Sequence, residues 1–400
     1  MKNKSLLVPF AEVLSKVISF VNILLFVRIL SVQDYADYSY IVAIVMWSSV
    51  LMDGGINNLI YNKSLKKETS GIDTLFTSRL FLSIIVILFV SFLFITKRKE
   101  LAIAGILFSL ITYFSSTSAL VKMLSRGLGF VKADIISILS EPFIRFILLS
   151  IIYTTSKYFD YTLSQVLFIY LIAGGVAFLI NKHYLSIYFS LKLRFASIKT
   201  ISKNIAASLK QSKYYLLYYV MIVGLGRIDI LFLDEYSGKH ELAVFSSALN
   251  MYQVAQLFFI SIITSQFLKL YKNKYLYLKF LVPLLVLTVL LTNISSSYIF
   301  KYLFPEPYIK GQFVLNILII AILPAIVNYY YITKNNYENK VKINFLLLLV
   351  VFLIKTVIYF ILKPTDLQTY SYIYLTSEGL LLTLFIIKIL YENTTNKQVS

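Results

Sequence analysis

Twelve stretches of about 20 apolar residues, separated by short polar loops, constrain this chain more than any other feature. They lie near residues 6–30, 38–60, 75–96, 101–121, 134–153, 163–181, 214–234, 242–267, 278–299, 312–332, 343–362 and 369–391. Each is long enough to cross a hydrocarbon core as a helix. A backbone inside lipid must satisfy its own hydrogen bonds, so the sequence predicts an all-α polytopic membrane protein of about twelve transmembrane helices. Composition agrees: 58% of the 400 residues are hydrophobic and 14% are charged, against about half and about a quarter in soluble domains. The first run is broken by Pro9, Glu12 and Lys16 and is followed by no A-x-A site, which argues against a cleavable signal peptide.

Several chemistries lack the residues they need. With no cysteine, disulfides, thiolate catalysis and Cys-ligated metals are excluded. Two histidines far apart, His183 and His240, leave little for a metal centre or a catalytic triad. No cofactor is expected. No G-x-x-x-x-G-K-[ST] phosphate loop occurs, so ATP hydrolysis by that route is excluded too. No large outer loop is present to assemble a membrane glycosyltransferase or polymerase site, and the chain reads as a transporter rather than an enzyme.

The net charge of +19 sits in short loops, mostly on one side, which marks membrane orientation rather than a nucleic-acid surface. With the N-terminus inside, the cytoplasmic loops take Lys63, Lys66 and Lys67, then Lys122, Arg126 and Lys132, then Lys334, Lys340 and Lys342. Opposite loops are richer in acid, so both termini are expected in the cytoplasm and the protein in the bacterial inner membrane. The loop "KRKE" at 97–100 dissents, with three cations on the outer side.

The longest interruption, 182–213, carries seven Lys or Arg and no acid. It predicts a basic connector at 191–213, lying on anionic headgroups, between an N-terminal six-helix bundle at 1–190 and a C-terminal one at 214–400. A shift of 207 residues lays Ala36, Tyr38 and Ser39 over Ala243, Phe245 and Ser246. This echo points to two pseudo-symmetric six-helix bundles around a central cavity, as in secondary transporters.

Ionisable residues inside the runs each cost about 2.5–3.5 kcal/mol on insertion scales and mark a partner, a watery cavity or a function. Glu12 with Lys16, and Glu141 with Arg145, are spaced i, i+4 with the acid first, so each pair shares a helix face. Internal ion pairs and cavity-facing pairs both fit that spacing. Lys355 and Glu378 fall at similar depths on consecutive antiparallel runs, which predicts a pair between them. Arg227 and Asp229, two residues apart in the seventh run, point to different helix faces, so at least one must meet another helix or an aqueous cavity. Helix breakers inside the runs, Pro9, Pro142, Pro283 and Pro324, fit bends that permit rocking and fit passive kinks equally.

The stretch "RIDILFLDEYSGKHELAVFSSALNMYQVAQLF" (227–258) resembles the helix seven to helix eight signature of Wzx-type polysaccharide repeat-unit flippases of the MOP superfamily. A polar R-x-D stretch there precedes a turn with Gly238, Ala243, Phe245 and Ser246. "RILSVQDYADYSYI" (28–41) is similar to the turn after the first helix, with Ala36 and Asp37 where many members have glycine, and "FPEPYIKGQFVLNILIIA" (304–321) resembles the loop into helix ten.

The resemblance implies a flippase that moves undecaprenyl-diphosphate-linked oligosaccharide repeat units to the outer membrane face by alternating access, for O-antigen or capsule. It implies coupling to H+ or Na+, and a polysaccharide polymerase and a chain-length regulator as partners beside membrane lipids. On that reading Arg227 and Lys16 contact substrate anions, and Arg145 and Lys355 set the cavity potential. Asp229, Glu12, Glu378 and Glu141 are the coupling candidates. A MATE-like cation-coupled antiporter is the alternative, and a polysaccharide polymerase the third reading.

Overall fold

A computed structural model describes residues 4–68, 70–189, 198–273, 279 and 281–399. No strand occurs among them; they form thirteen α-helices and two short 3-10 turns, with residues 279 and 281 in π-helical conformation. The helices are α1 Lys4–Ile29, α2 Val32–Asp53, α3 Ile56–Leu65, α4 Ile72–Lys97, α5 Ala102–Leu128, α6 Val131–Thr155 and α7 Leu163–Ser186. They continue as α8 Ile198–Tyr236, α9 Lys239–Lys272, α10 Val282–Leu303, α11 Gly311–Tyr337, α12 Val341–Leu362 and α13 Leu367–Val399. All except the short α3 are long and apolar enough to cross a membrane, which makes twelve candidate spans. Every expected run finds its helix.

The second run is the one whose shape differs. The expected span at 38–60 divides into α2 and α3 because Gly54 and Gly55 take positive φ, 57° and 75°, which glycine adopts at little steric cost. The space around them is also closed. A Cβ on Gly55 would lie 2.7 Å from Ser212 Cβ, and the Ser212 hydroxyl donates to the Gly54 carbonyl at 2.6 Å. Apolar residues continue beyond the break, so hydropathy alone runs the two helices together.

The chain forms two compact units, Met1–Val223 and Gly224–Ser400. Of the residues expected as a connector, 191–197 lie outside the described residues and 198–213 form the first part of α8. The unit boundary falls later, inside that helix. In the first unit α1 packs on α6, α5 on α7, and α2 on α4 and α5. In the second, α11 is central, packing on α9, α10 and α13.

Helix ends carry the expected chemistry. Ser31 caps α2 by accepting the Asp34 N–H at 3.1 Å, and Thr162 opens α7 in a capping box with Gln165. Apolar side chains fill the core and also cover the outside, while a set of polar groups is buried between helices, as lipid surroundings favour. Phe92 is 62% exposed on α4, Ile294 73% on α10 and Ile361 74% on α12, whereas Asn181 and Asn344 are fully buried.

The dissenting "KRKE" loop lies between α4 and α5. The Arg98 guanidinium sits 5.1 Å from the centre of the Tyr40 ring and 3.8 Å from the Glu100 carboxylate, which partly offsets its charge.

Candidate functional site

In the second unit, charge gathers where α8, α12 and α13 meet. Asp229, with no exposed surface, accepts a hydrogen bond from Lys355 Nζ at 2.7 Å on Oδ2 and one from the Tyr359 hydroxyl on Oδ1. Lys355 and Tyr359 stand one turn apart on α12, so one face of that helix grips both carboxylate oxygens. The Lys355 ammonium also donates to the Leu225 carbonyl at 3.0 Å and lies 4.8 Å from the centre of the Tyr374 ring. A buried ammonium is thus met on three sides by groups that favour its charge.

The expected pairing of Lys355 with Glu378 is corrected by this geometry. The two residues lie at similar depth, but Asp229 takes the ammonium. Glu378 is held by a neutral amide instead: Asn328 Nδ2 donates to its Oε2 at 2.9 Å and to its backbone carbonyl at 3.0 Å. A cavity of about 20 Å³, lined by Lys355, Tyr374, Ser377 and Glu378 among others, lies beside both groups. That is the volume of one water.

Arg227 and Asp229 do point to different faces. Arg227 reaches α9, where its Nη2 donates to Gln253 Oε1 at 3.3 Å, while Asp229 reaches α12. Arg227 therefore meets a neutral side chain on another helix.

In the first unit, Glu141 and Arg145 form the predicted i, i+4 ion pair on α6, and the Ser115 hydroxyl donates to the same Glu141 oxygen. Arg145 also lies 4.7 Å from the centre of the Tyr170 ring. The pair of Glu12 with Lys16 is not formed. Glu12 turns to α5, accepting from Arg126 Nη2 at 2.9 Å, with Lys122 Nζ at 3.6 Å. Arg126 is bidentate to Asp134 on α6, with Nε and Nη2 at 2.9 and 3.2 Å from its two oxygens. The fork of the guanidinium thus ties three helices together, which the point charge of Lys16 does less well. Lys16 itself, half-buried in α1, makes no hydrogen bond or ion pair among the described residues.

Three charged residues of the interior escape a reading based on apolar runs. Arg79 on α4 has no exposed surface; it donates to Thr117 at 3.2 Å and to Ser116, and its Nε lies 3.7 Å from Asp53 Oδ1. Asp134, 2% exposed, is the third. The signal for Arg79 is present: an arginine within "TSRLFLS" carries the same insertion penalty that singles out Arg227.

In sequence, residues 2–267 match the family described as polysaccharide biosynthesis protein. No curated protein matches the chain. In fold, it is similar to an inward-facing multidrug resistance transporter of the MATE family in the MOP superfamily, at 13% identity and a TM-score of 0.75 over 96% of each chain. It is also similar to a MOP superfamily transporter from Pyrococcus furiosus, at 14% identity and a TM-score of 0.68 over 98% of this chain and 95% of that one. With its twelve candidate spans and the family match across more than half of its length, the chain belongs to the polysaccharide biosynthesis protein family and carries the fold of MOP superfamily transporters.

Proposed function

We propose that this transporter is a flippase for undecaprenyl-diphosphate-linked oligosaccharide repeat units, working by alternating access toward O-antigen or capsule. The observation that carries the reading is Lys16, a cation about 9 Å into the first span with no ion pair of its own among the described residues. A diphosphate has the charge to meet it, and membership of the polysaccharide biosynthesis protein family supports a carbohydrate-bearing substrate. Arg227 is the second substrate contact, while Arg145, tied to Glu141, contributes to the local potential.

Coupling to H+ or Na+ falls to the acids within the spans. Asp229 is locked by Lys355 and Tyr359, whereas Glu378 accepts from the neutral Asn328 amide and has a one-water cavity beside it. Glu378 is therefore the group that exchanges the coupling ion, and Asp229 with Lys355 is the fixed frame. Glu12 and Glu141, each held by an arginine, serve the frame of the first unit. Both termini lie in the cytoplasm, with the lysine-rich loops.

A second reading, a cation-coupled antiporter of small molecules, draws on the MATE fold and on two acids of the second unit, Asp229, buried, and Glu378, half-buried. One experiment separates the two. In a deletion strain, lipid-linked oligosaccharides are extracted and assigned to a membrane face with an impermeant glycosidase on spheroplasts and on inverted vesicles. Repeat units trapped on the cytoplasmic face, and released by the wild-type gene but not by Arg227→Ala, are the expected result. Normal surface glycan with no trapped intermediate would overturn the flippase and leave the antiporter.

A further inference from the structure

One feature that this function leaves unused is a cleft of about 640 Å³ in the first unit, a volume typical of a small-molecule site. One wall is the end of α3 and the start of α4, with Lys63, Lys66, Glu68, Gly71 and Thr74; the other is α8, with Asn204, Ser208 and Gln211. Its two lysines outweigh one acid. The first turn of α4 adds backbone N–H groups, because Gly71 at its N-cap offers no side-chain acceptor. Ser208 adds an independent sign of a ligand. It is 5% exposed, it lines the cleft, and its hydroxyl makes no hydrogen bond among the described residues.

We propose that this cleft binds a phosphate group, held by Lys63 and Lys66, by the N–H groups of α4 and by the Ser208 hydroxyl. Ammonium groups, a helix N-terminus and a hydroxyl donor are the combination that recognises phosphate oxygens. Amide side chains on the α8 wall, Asn204 and Gln211, suit the polar group that the phosphate carries. The source is either the headgroup of an anionic phospholipid or a soluble phosphate compound. None of Lys16, Arg227 and Glu378 lines the cleft, so the proposal stands or falls independently of the flippase reading.

The test uses the full-length protein in phosphatidylcholine nanodiscs. In one arm phosphatidylglycerol is added and the lipid retained after detergent release is counted by native mass spectrometry. In the other, inorganic pyrophosphate is titrated by calorimetry. The wild type is expected to retain phosphatidylglycerol, which assigns a lipid source, or to bind pyrophosphate, which assigns a soluble one. Binding should weaken about tenfold or more in Lys63→Ala/Lys66→Ala, following the attraction of about 1 kcal/mol per lysine near an anionic surface. Ser208→Ala should weaken it by a smaller factor. Lys97→Ala/Lys99→Ala, which removes the same charge at the far end of α4, should leave it unchanged. Failure of the wild type to hold either probe, or equal losses in the two double variants, would overturn the proposal.

Discussion

Lys355 donates to Asp229 at 2.7 Å with both side chains almost wholly buried, 2% and 0% exposed, so neither charge reaches solvent. Removing one partner of such a pair leaves an uncompensated buried charge, at a cost of about 3–5 kcal/mol, whereas removing both costs far less. Lys355→Met alone should therefore sharply lower the amount of folded, membrane-inserted protein. Lys355→Met with Asp229→Asn should recover most of it. Fluorescence-detected size-exclusion chromatography reads both, and a double variant as poor as the single one would show that the pair does more than neutralise itself.

Glu378 offers a contrast, because glutamine can keep the hydrogen bond from Asn328 while losing the ionisable group. Glu378→Gln should insert normally but lose the acceleration that an imposed proton gradient gives to transport in inverted vesicles. Acceleration of the wild type by a sodium gradient alone would assign the ion as Na+. Unchanged proton acceleration in the variant would remove Glu378 from the coupling step.

Glycine at position 55 is required twice, by a φ of 75° and by Ser212 Cβ 2.7 Å from where its own Cβ would stand. Gly55→Ala should cost about 1–3 kcal/mol. Gly226, within α8, has nothing within 4 Å of an added Cβ, so Gly226→Ala should raise stability by up to about 1 kcal/mol through helix propensity. Thermal unfolding in one detergent compares the two, and opposite signs are expected.

Asp366 caps α13, accepting from the Thr369 N–H at 2.8 Å and from its hydroxyl at 2.7 Å. Burial pushes its carboxyl up, but these bonds outweigh burial and hold it below its ordinary value of 3.8. A depressed carboxylate stabilises the fold above its unfolded value, and that contribution is lost as pH falls through the folded one. Hydrogen exchange in the first turn of α13 should thus quicken as pH drops below about 3.8. Asp366→Ala should show fast exchange at every pH, with a loss of about 1 kcal/mol.

What the sequence made legible depends on whether a relationship is local. Span number follows from run length, and the Glu141 pair from i, i+4 spacing on one helix. The partners of Glu12 and Asp229 lie 114 and 126 residues away, and no spacing rule says which helices become neighbours. Lys355 illustrates the difficulty: its depth matches Glu378 well, but depth leaves the rotation of each helix undetermined, and rotation aims the ammonium at Asp229. Arg79 and the break at Gly54 are hidden for another reason. Averaging hydropathy over about 20 residues absorbs one arginine or two glycines into an apolar mean.

The separation of Asp229 and Lys355 along the chain also sets an order of events during synthesis. Asp229 emerges from the ribosome 126 residues before its ammonium partner, an interval of about 6–25 s at ordinary elongation rates. For that time α8 carries an acid whose folded-state ammonium partner does not yet exist, at an insertion cost of about 2.5–3.5 kcal/mol. The second unit can thus complete this pair only once α12 has been made, late in the synthesis of the 400-residue chain.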